Sequence, residues 1–213
     1  MDKVVSMDYL LNGMKHEKPT AAPGRPRAFD AEKALESAMM VFWRKGYLGT
    51  SLSDLTDAMG INRPSLYAAF GNKESLFRKA LAHYFNGPSA YLAEALRKPT
   101  ACAVVEHLFQ GVVDLLADPH TPTTCLWVHG ALSCGDNSFR KEFAAQRATG
   151  HAELCKRFKR AIREGDLPTD TDANALANFV QAVNFGLTVS ASTGATRKEL
   201  LRIVEIALKA WPK

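Results

Sequence analysis

Arg63, Tyr67 and Lys73 are the side chains whose types and spacing suit chemistry, and that chemistry is recognition of a polyanion. A guanidinium can take a guanine edge or a phosphate, and a phenol can donate its hydroxyl to a phosphate. The Ala68 methyl can pack on a thymine methyl. Leu66 and Phe70 stand four residues apart and join Leu55 and Ile61 as one apolar side. Arg63, Pro64, Tyr67 and Ala68 are thereby turned to the opposite surface of the same helix. Thr50 and Ser51 open the preceding helix and Lys73 the following one, so two helix N-termini can offer N–H groups and side-chain donors to backbone phosphates. These positions fix register on a duplex; they do not read its sequence.

The remaining candidates are thiols and imidazoles. Cys125 and His129 are four apart and Cys134 follows five later, a spacing that can bring a thiolate and an imidazole to one helix face for Zn or Cu. No fourth ligand is evident, so no metal is expected. A redox response through Cys102 or Cys134 lacks an adjacent cation to lower the thiol pKa. An enzyme would need one of these thiols as nucleophile with His107 or His129 as base, and no signature surrounds either cysteine. The four cysteines, Cys155 included, lack C-x-x-C spacing and read first as small buried hydrophobes in a reducing compartment. No cofactor is implied, and the chain is expected to be no enzyme.

The elements that must position Arg63 and Tyr67 are helices. Asp30 caps a first helix with apolar positions Ala34, Leu35, Ala38, Met39, Phe42 and Trp43, ending near Gly46. Ser51 with Asp54 is a capping-box pair for a short second helix stopped at Gly60. Asn62 caps the third, where Pro64 is tolerated in the first turn, and Asn72 caps a fourth that runs to Gly87-Pro88. Beyond it, helices are expected near 89–98, 101–117, 124–134, 137–164, 171–192 and 196–211, divided by Pro99, Pro119, Pro122, Gly135, Gly165, Pro168 and Gly194. No segment alternates with period two, so the fold class is all-α.

Residues 1–28, with Pro19, Pro23, Gly24 and Pro26, read as a disordered basic lead-in whose Arg25 and Arg27 can reach phosphates or a minor groove. Residues 29–87 make a small helical domain and 88–213 a larger one. With 213 residues and 46% hydrophobic content the chain can bury full cores, and its formal net charge of +5 suits a polyanionic partner without requiring one. No apolar run approaches the roughly 18 residues of a membrane span, and the first 28 residues are too polar for a secretory signal. A cytoplasmic protein without a membrane partner is expected.

In the run Ala34 to Phe85 the chain resembles the TetR (tetracycline-repressor-like) family of transcriptional regulators. The resemblance rests on Phe42, Gly46-Tyr47, Thr50-Ser51, Asp54-Leu55, Gly60-Ile61, Ser65-Leu66-Tyr67, Phe70 and Lys73-Glu74-Ser75-Leu76-Phe77. Thr56 and Met59 depart from the alanines usual there. The resemblance implies a homeodomain-like three-helix DNA-binding domain followed by a helical domain for ligand binding and dimerisation. Asn62, Arg63, Pro64, Tyr67, Ala68 and Lys73, with Thr50 and Ser51, stand where relatives touch DNA. It further implies a homodimeric repressor on a palindromic operator in double-stranded DNA, released by a small-molecule effector.

For the dimer, the last two helices carry apolar stripes: Leu176, Phe179, Val180, Val183 and Leu187, then Leu200, Ile203, Val204, Ala207, Leu208 and Trp211. Two copies can pack these as a four-helix bundle, although the same stripes suit an intramolecular core. The effector pocket is expected among Cys102, Phe109, Val112, Trp127, His129, Phe143 and Asn184. Leu108, Leu116, Phe139, Phe158 and Phe185 are further apolar lining. The alternative is a thiol- or metal-responsive regulator using Cys102, Cys125, His129 or Cys134.

Overall fold

A computed structural model of the chain describes residues 30–133 and 137–212, and among these every regular element is an α-helix. The helices are α1 (Ala31–Gly49), α2 (Leu52–Met59), α3 (Arg63–Phe70), α4 (Lys73–Asn86), α5 (Tyr91–Ala95), α6 (Ala101–Ala117), α7 (Leu126–Ser133), α8 (Asn137–Arg163), α9 (Ala173–Ser192) and α10 (Arg197–Lys209). The expected lead-in, with Arg25 and Arg27, and Cys134 lie outside the described residues.

Caps set the boundaries around the N-terminal elements. Asp30 accepts from the Glu32 and Lys33 amides at 3.0 and 3.2 Å, so α1 starts where the sequence places it. Gly46, at φ 69° and ψ 173°, breaks the helical path inside α1. Ser51 and Asp54 satisfy each other's backbone N–H groups at 3.0 and 2.8 Å, a complete capping box. Gly60 then turns the chain in the left-handed region, at φ 65° and ψ 30°, which costs glycine nothing and other residues strain. Asn62 and Asn72 cap α3 and α4 by accepting from the Ser65 and Ser75 amides.

The helix expected over 89–98 is shorter, spanning only Tyr91–Ala95. Ala90 offers no capping side chain, and Pro99 disfavours helical backbone at Lys98, so the last residues close with i→i−3 bonds from Arg97 and Lys98.

Two cores hold the molecule. The first packs α1, α2, α3 and α4 around Phe42, Trp43, Leu55, Leu66 and Phe77, all fully buried, and Leu126, Phe139 and Phe143 of α7 and α8 join it from beyond residue 87. Phe42 and Phe77 meet edge to face at 5.0 Å, as do Trp43 and Tyr84 at 4.9 Å. Each such side chain contributes about 1.5–3 kcal/mol by leaving water. Arg78 of α4 holds Glu142 of α8 through two bonds, at 2.6 and 3.1 Å, which ties the first core to the longest helix. The second core surrounds α6, where Val105, Phe109 and Val113 face Phe158, Leu187, Leu200 and Trp211. Gly111 lets α5 approach α6 closely: a Cβ there would meet the Tyr91 ring at 2.4 Å.

Candidate nucleic-acid interface and the cavity behind it

Leu66 and Phe70 are buried against Leu55, with Ile61 half-buried beside them, and this fixes the rotation of α3 about its axis. Asn62, Arg63, Pro64, Tyr67 and Ala68 all fall on its exposed side, and Tyr67 keeps 48% of its surface accessible. Arg63 donates to the Ser53 hydroxyl at 3.0 Å, which braces the guanidinium across from α2 without burying it. Lys73 sits with its ammonium 4.5 Å from the centroid of the Tyr47 ring, at the start of α4 and half-exposed. The departures at Thr56 and Met59 are absorbed locally. Thr56 bonds the Leu52 and Ser53 carbonyls within its own helix, and Met59 fills the first core.

Thr50 corrects the expected contact set. It is 2% exposed, and its hydroxyl donates to the Gly46 carbonyl at 2.6 Å, so it completes the bend of α1 and cannot reach a phosphate. Ser51 is exposed, but its hydroxyl is engaged with Asp54. The Lys45 ammonium bonds the same carboxylate at 2.5 Å and, with the Ser51 donors, holds its pKa far below the ordinary carboxylate range. Lys45 thereby offsets an acid that would otherwise face the phosphates beside the α2 N-terminus. Sequence reasoning missed Lys45, because nothing in its spacing announces a partner across the bend.

Behind this domain lies a cavity of about 150 Å³ between α4, α5, α6, α7, α8 and α9. Of the residues expected there, Val112, Trp127 and Asn184 line it, with Leu108 and Phe185 from the wider set; Phe85, Tyr91, Leu92, Leu96, Leu154 and Gln181 complete the walls. Four expectations fail. Cys102 is on the exposed side of α6, Phe109 is in the second core, and Phe143 is in the first core, edge to face with Trp127 at 5.8 Å. His129 turns away to the first core, with Nδ1 3.2 Å from the Trp43 carbonyl. Among the wider set, Leu116 and Phe158 are in the second core and Phe139 is in the first. The walls come from six helices distant in sequence, so no local pattern could have marked Tyr91 or Gln181.

Among the described residues the expected thiol and imidazole groups are turned to different partners. Cys125 accepts from the Tyr84 hydroxyl at 3.3 Å and burial raises its pKa, while His129 faces Trp43. Among the described residues no group of three metal-ligating side chains occurs. Cys102 and His107 are five apart on α6, and His107 faces Glu94 at 3.5 Å.

The last two helices also revise the expected dimer face. Leu187, Leu200, Val204 and Ala207 are buried in the chain's own second core with Val180 and Trp211, and Val183 and Leu208 are half-buried against it. Of the set, Phe179 and Ile203 are exposed. They join Ala182, Gly186 and Val189 on α9 and Ile206 on α10, at helical spacing, in an apolar surface exposed among the described residues. Ile206 and Val189 escaped notice because the heptad that looked most apolar is the one the monomer itself buries.

Residues 34–80 match the model of the tetR family of bacterial regulatory proteins, and residues 101–206 match the tetracyclin repressor-like C-terminal domain. The HTH-type transcriptional repressor ComR of Escherichia coli (strain K12) is 34% identical, covering 89% of this chain and 92% of that protein. A structure of the TetR family transcriptional regulator CifR, as a cysteine mutant complexed with 26bp double-strand operator DNA, is 44% identical, covers 88% of this chain and 100% of that one, and superposes with a TM-score of 0.83. A TetR transcriptional regulator from Rhodococcus sp. RHA1 is 40% identical over 84% of this chain and 98% of its own, with a TM-score of 0.61. The chain belongs to the tetR family of bacterial regulatory proteins.

Proposed function

We propose that this tetR-family chain is a homodimeric transcriptional repressor that binds a palindromic operator and lets it go when a small molecule enters the cavity. The observation that carries the DNA-binding part is the division of α3: Leu66 and Phe70 anchor one side in the core, and Arg63, Pro64, Tyr67 and Ala68 leave the other open to a major groove. The CifR complex, 44% identical, supports it by holding operator DNA. Arg63 is the base-edge reader, and Tyr67, Lys73, Ser51 and Asn62 are positioning contacts to the backbone. The protein acts where the chromosome is, in the cytoplasm, and performs no turnover.

Phe179, Val189, Ile203 and Ile206 support dimerisation through α9 and α10, which sets two copies of α3 to meet successive major grooves, about 34 Å apart. Phe85 gives the cavity a wall on α4, the helix that Lys73 opens at the DNA face. A ligand that fits only one orientation of α4 shifts the dimer toward the geometry in which the two recognition helices no longer match the grooves.

The test is selection of bound fragments from the source genome by the purified chain, followed by titration of a selected duplex. A two-fold symmetric site bound by one dimer is expected. A dimer with no preference among duplexes overturns the reading.

A further inference from the structure

The cavity walls are mainly apolar, with a few polar side chains among them. Trp127 Nε1, Gln181 Oε1 and Asn184 Oδ1, like Ser89 Oγ between α4 and α5, are buried with no hydrogen-bond partner among the described residues, and all four residues line the space. The other end of the Gln181 amide is committed, donating to the Arg147 carbonyl at 3.2 Å, which leaves its oxygen as the unmet end. Buried polar atoms are ordinarily paired, and this indole N–H and the two amide oxygens offer one donor and two acceptors to whatever fills the cavity. Trp127 and Phe185 stack at 5.6 Å and 18°, so a broad π surface borders the same polar group. The charged lining residues are Arg147, which is exposed, and Glu153, which is half-exposed; neither supplies a buried counter-ion. A carboxylate would be set against two amide oxygens.

Resting on the effector reading above, we propose that the cavity takes an uncharged, ring-sized, mainly apolar molecule bearing one hydroxyl or primary amide. That group donates to Asn184 or Gln181 and accepts from the Trp127 indole N–H. A volume of about 150 Å³ sets the size, since a cavity of roughly that volume holds a benzene ring. The ligand therefore has about six to ten non-hydrogen atoms.

The experiment uses the full chain and its operator duplex, with p-cresol and benzyl alcohol as probes. Toluene, p-toluate, 4-methylbenzylamine and 4-phenylphenol serve as comparators. Binding is read by tryptophan fluorescence and by the rise in Tm, and operator release by anisotropy. The hydroxyl compounds are expected to bind at least about tenfold more tightly than toluene, with p-toluate, the amine and the two-ring phenol weaker still. Asn184→Leu and Trp127→Phe should each narrow the cresol-to-toluene ratio while toluene still binds, which shows that the cavity persists.

Tighter binding of the carboxylate, the amine or the two-ring phenol overturns the proposed ligand class, as does a ratio unmoved by both substitutions or no binding by either hydroxyl compound. Cresol that binds as expected yet leaves the operator complex intact overturns the effector reading alone. Release by a larger or charged compound spares that reading and overturns this one.

Discussion

The indole N–H of Trp43 donates to the backbone carbonyl of Thr124 at 2.5 Å, linking the first helix of the DNA-facing domain to the segment that opens α7. Trp43 returns the favour through its own carbonyl, which lies 3.2 Å from His129 Nδ1; a carbonyl only accepts, so that nitrogen carries the proton. Between Thr124 and His129 stands Trp127, a wall of the cavity. One short helix thus touches the cavity on one side and is held at both flanks by a single buried residue of the DNA-binding domain.

Trp43→Phe removes the donor and leaves the Thr124 carbonyl unpaired. The expected cost is about 1–3 kcal/mol of stability in urea unfolding. Operator affinity should fall little in conditions where the variant is folded, while the concentration of effector needed for release changes. A variant with unaltered stability and release would show that the link carries neither.

Arg63→Ala is expected to weaken operator binding by about 1–3 kcal/mol and to relax preference at one base position in each half-site. Tyr67→Ala and Lys73→Ala should weaken binding to all duplexes. For Lys73→Ala the slope of log affinity against log salt should shrink by about 1 per contact. Anisotropy titrations between 50 and about 200 mM salt distinguish the two behaviours. Thr50→Val, by contrast, should act on stability rather than on the salt slope, because its hydroxyl belongs to Gly46.

Gly60 has open space around its missing side chain, so any substitution there acts through the backbone alone. Gly60→Ala places a Cβ residue at φ 65° and is expected to destabilise the chain by about 1–2 kcal/mol, with Gly60→Asn recovering part of the loss. Thermal unfolding of the pair checks it. Equal Tm values for glycine and alanine would contradict the left-handed cap.

Burial pushes the Cys125 thiol up, and desolvation pushes the fully buried Tyr84 hydroxyl well above the usual tyrosine range. Both groups stay protonated in the folded chain at a pH where the unfolded chain has released those protons, so the unfolded state binds fewer protons and stability falls as pH rises. The contribution is whole below about pH 8.5, the ordinary thiol pKa, and declines above it, with tyrosine adding its share above about pH 10. Urea unfolding across this range should give a downward slope whose first part Cys125→Ala removes.

Phe179 and Ile206 are 38% and 68% exposed in the single chain, so Phe179→Arg and Ile206→Glu leave the monomer's cores intact. Sedimentation is expected to find monomers with unchanged helical content. Operator binding should drop steeply, because one half-site then has to hold alone. Dimers that survive both substitutions would move the interface elsewhere.

Local order along the chain was written in the sequence. Asp30, Ser51 with Asp54, Gly60, Asn62 and Asn72 specify where the first four helices begin and turn, since a cap needs only residues three or four apart. The outward aspect of Arg63 and Tyr67 followed from Leu66 and Phe70 by helical period alone. Tertiary packing decided the rest. It buried Thr50 beneath a bend, turned His129 from the cavity to Trp43, drew Phe139 into the first core, and gave Leu187 and Leu200 to the monomer while leaving Val189 and Ile206 bare. An apolar period fixes which residues share a side of a helix. Which neighbour that side meets is set by the arrangement of all the helices at once, through contacts between residues tens of positions apart.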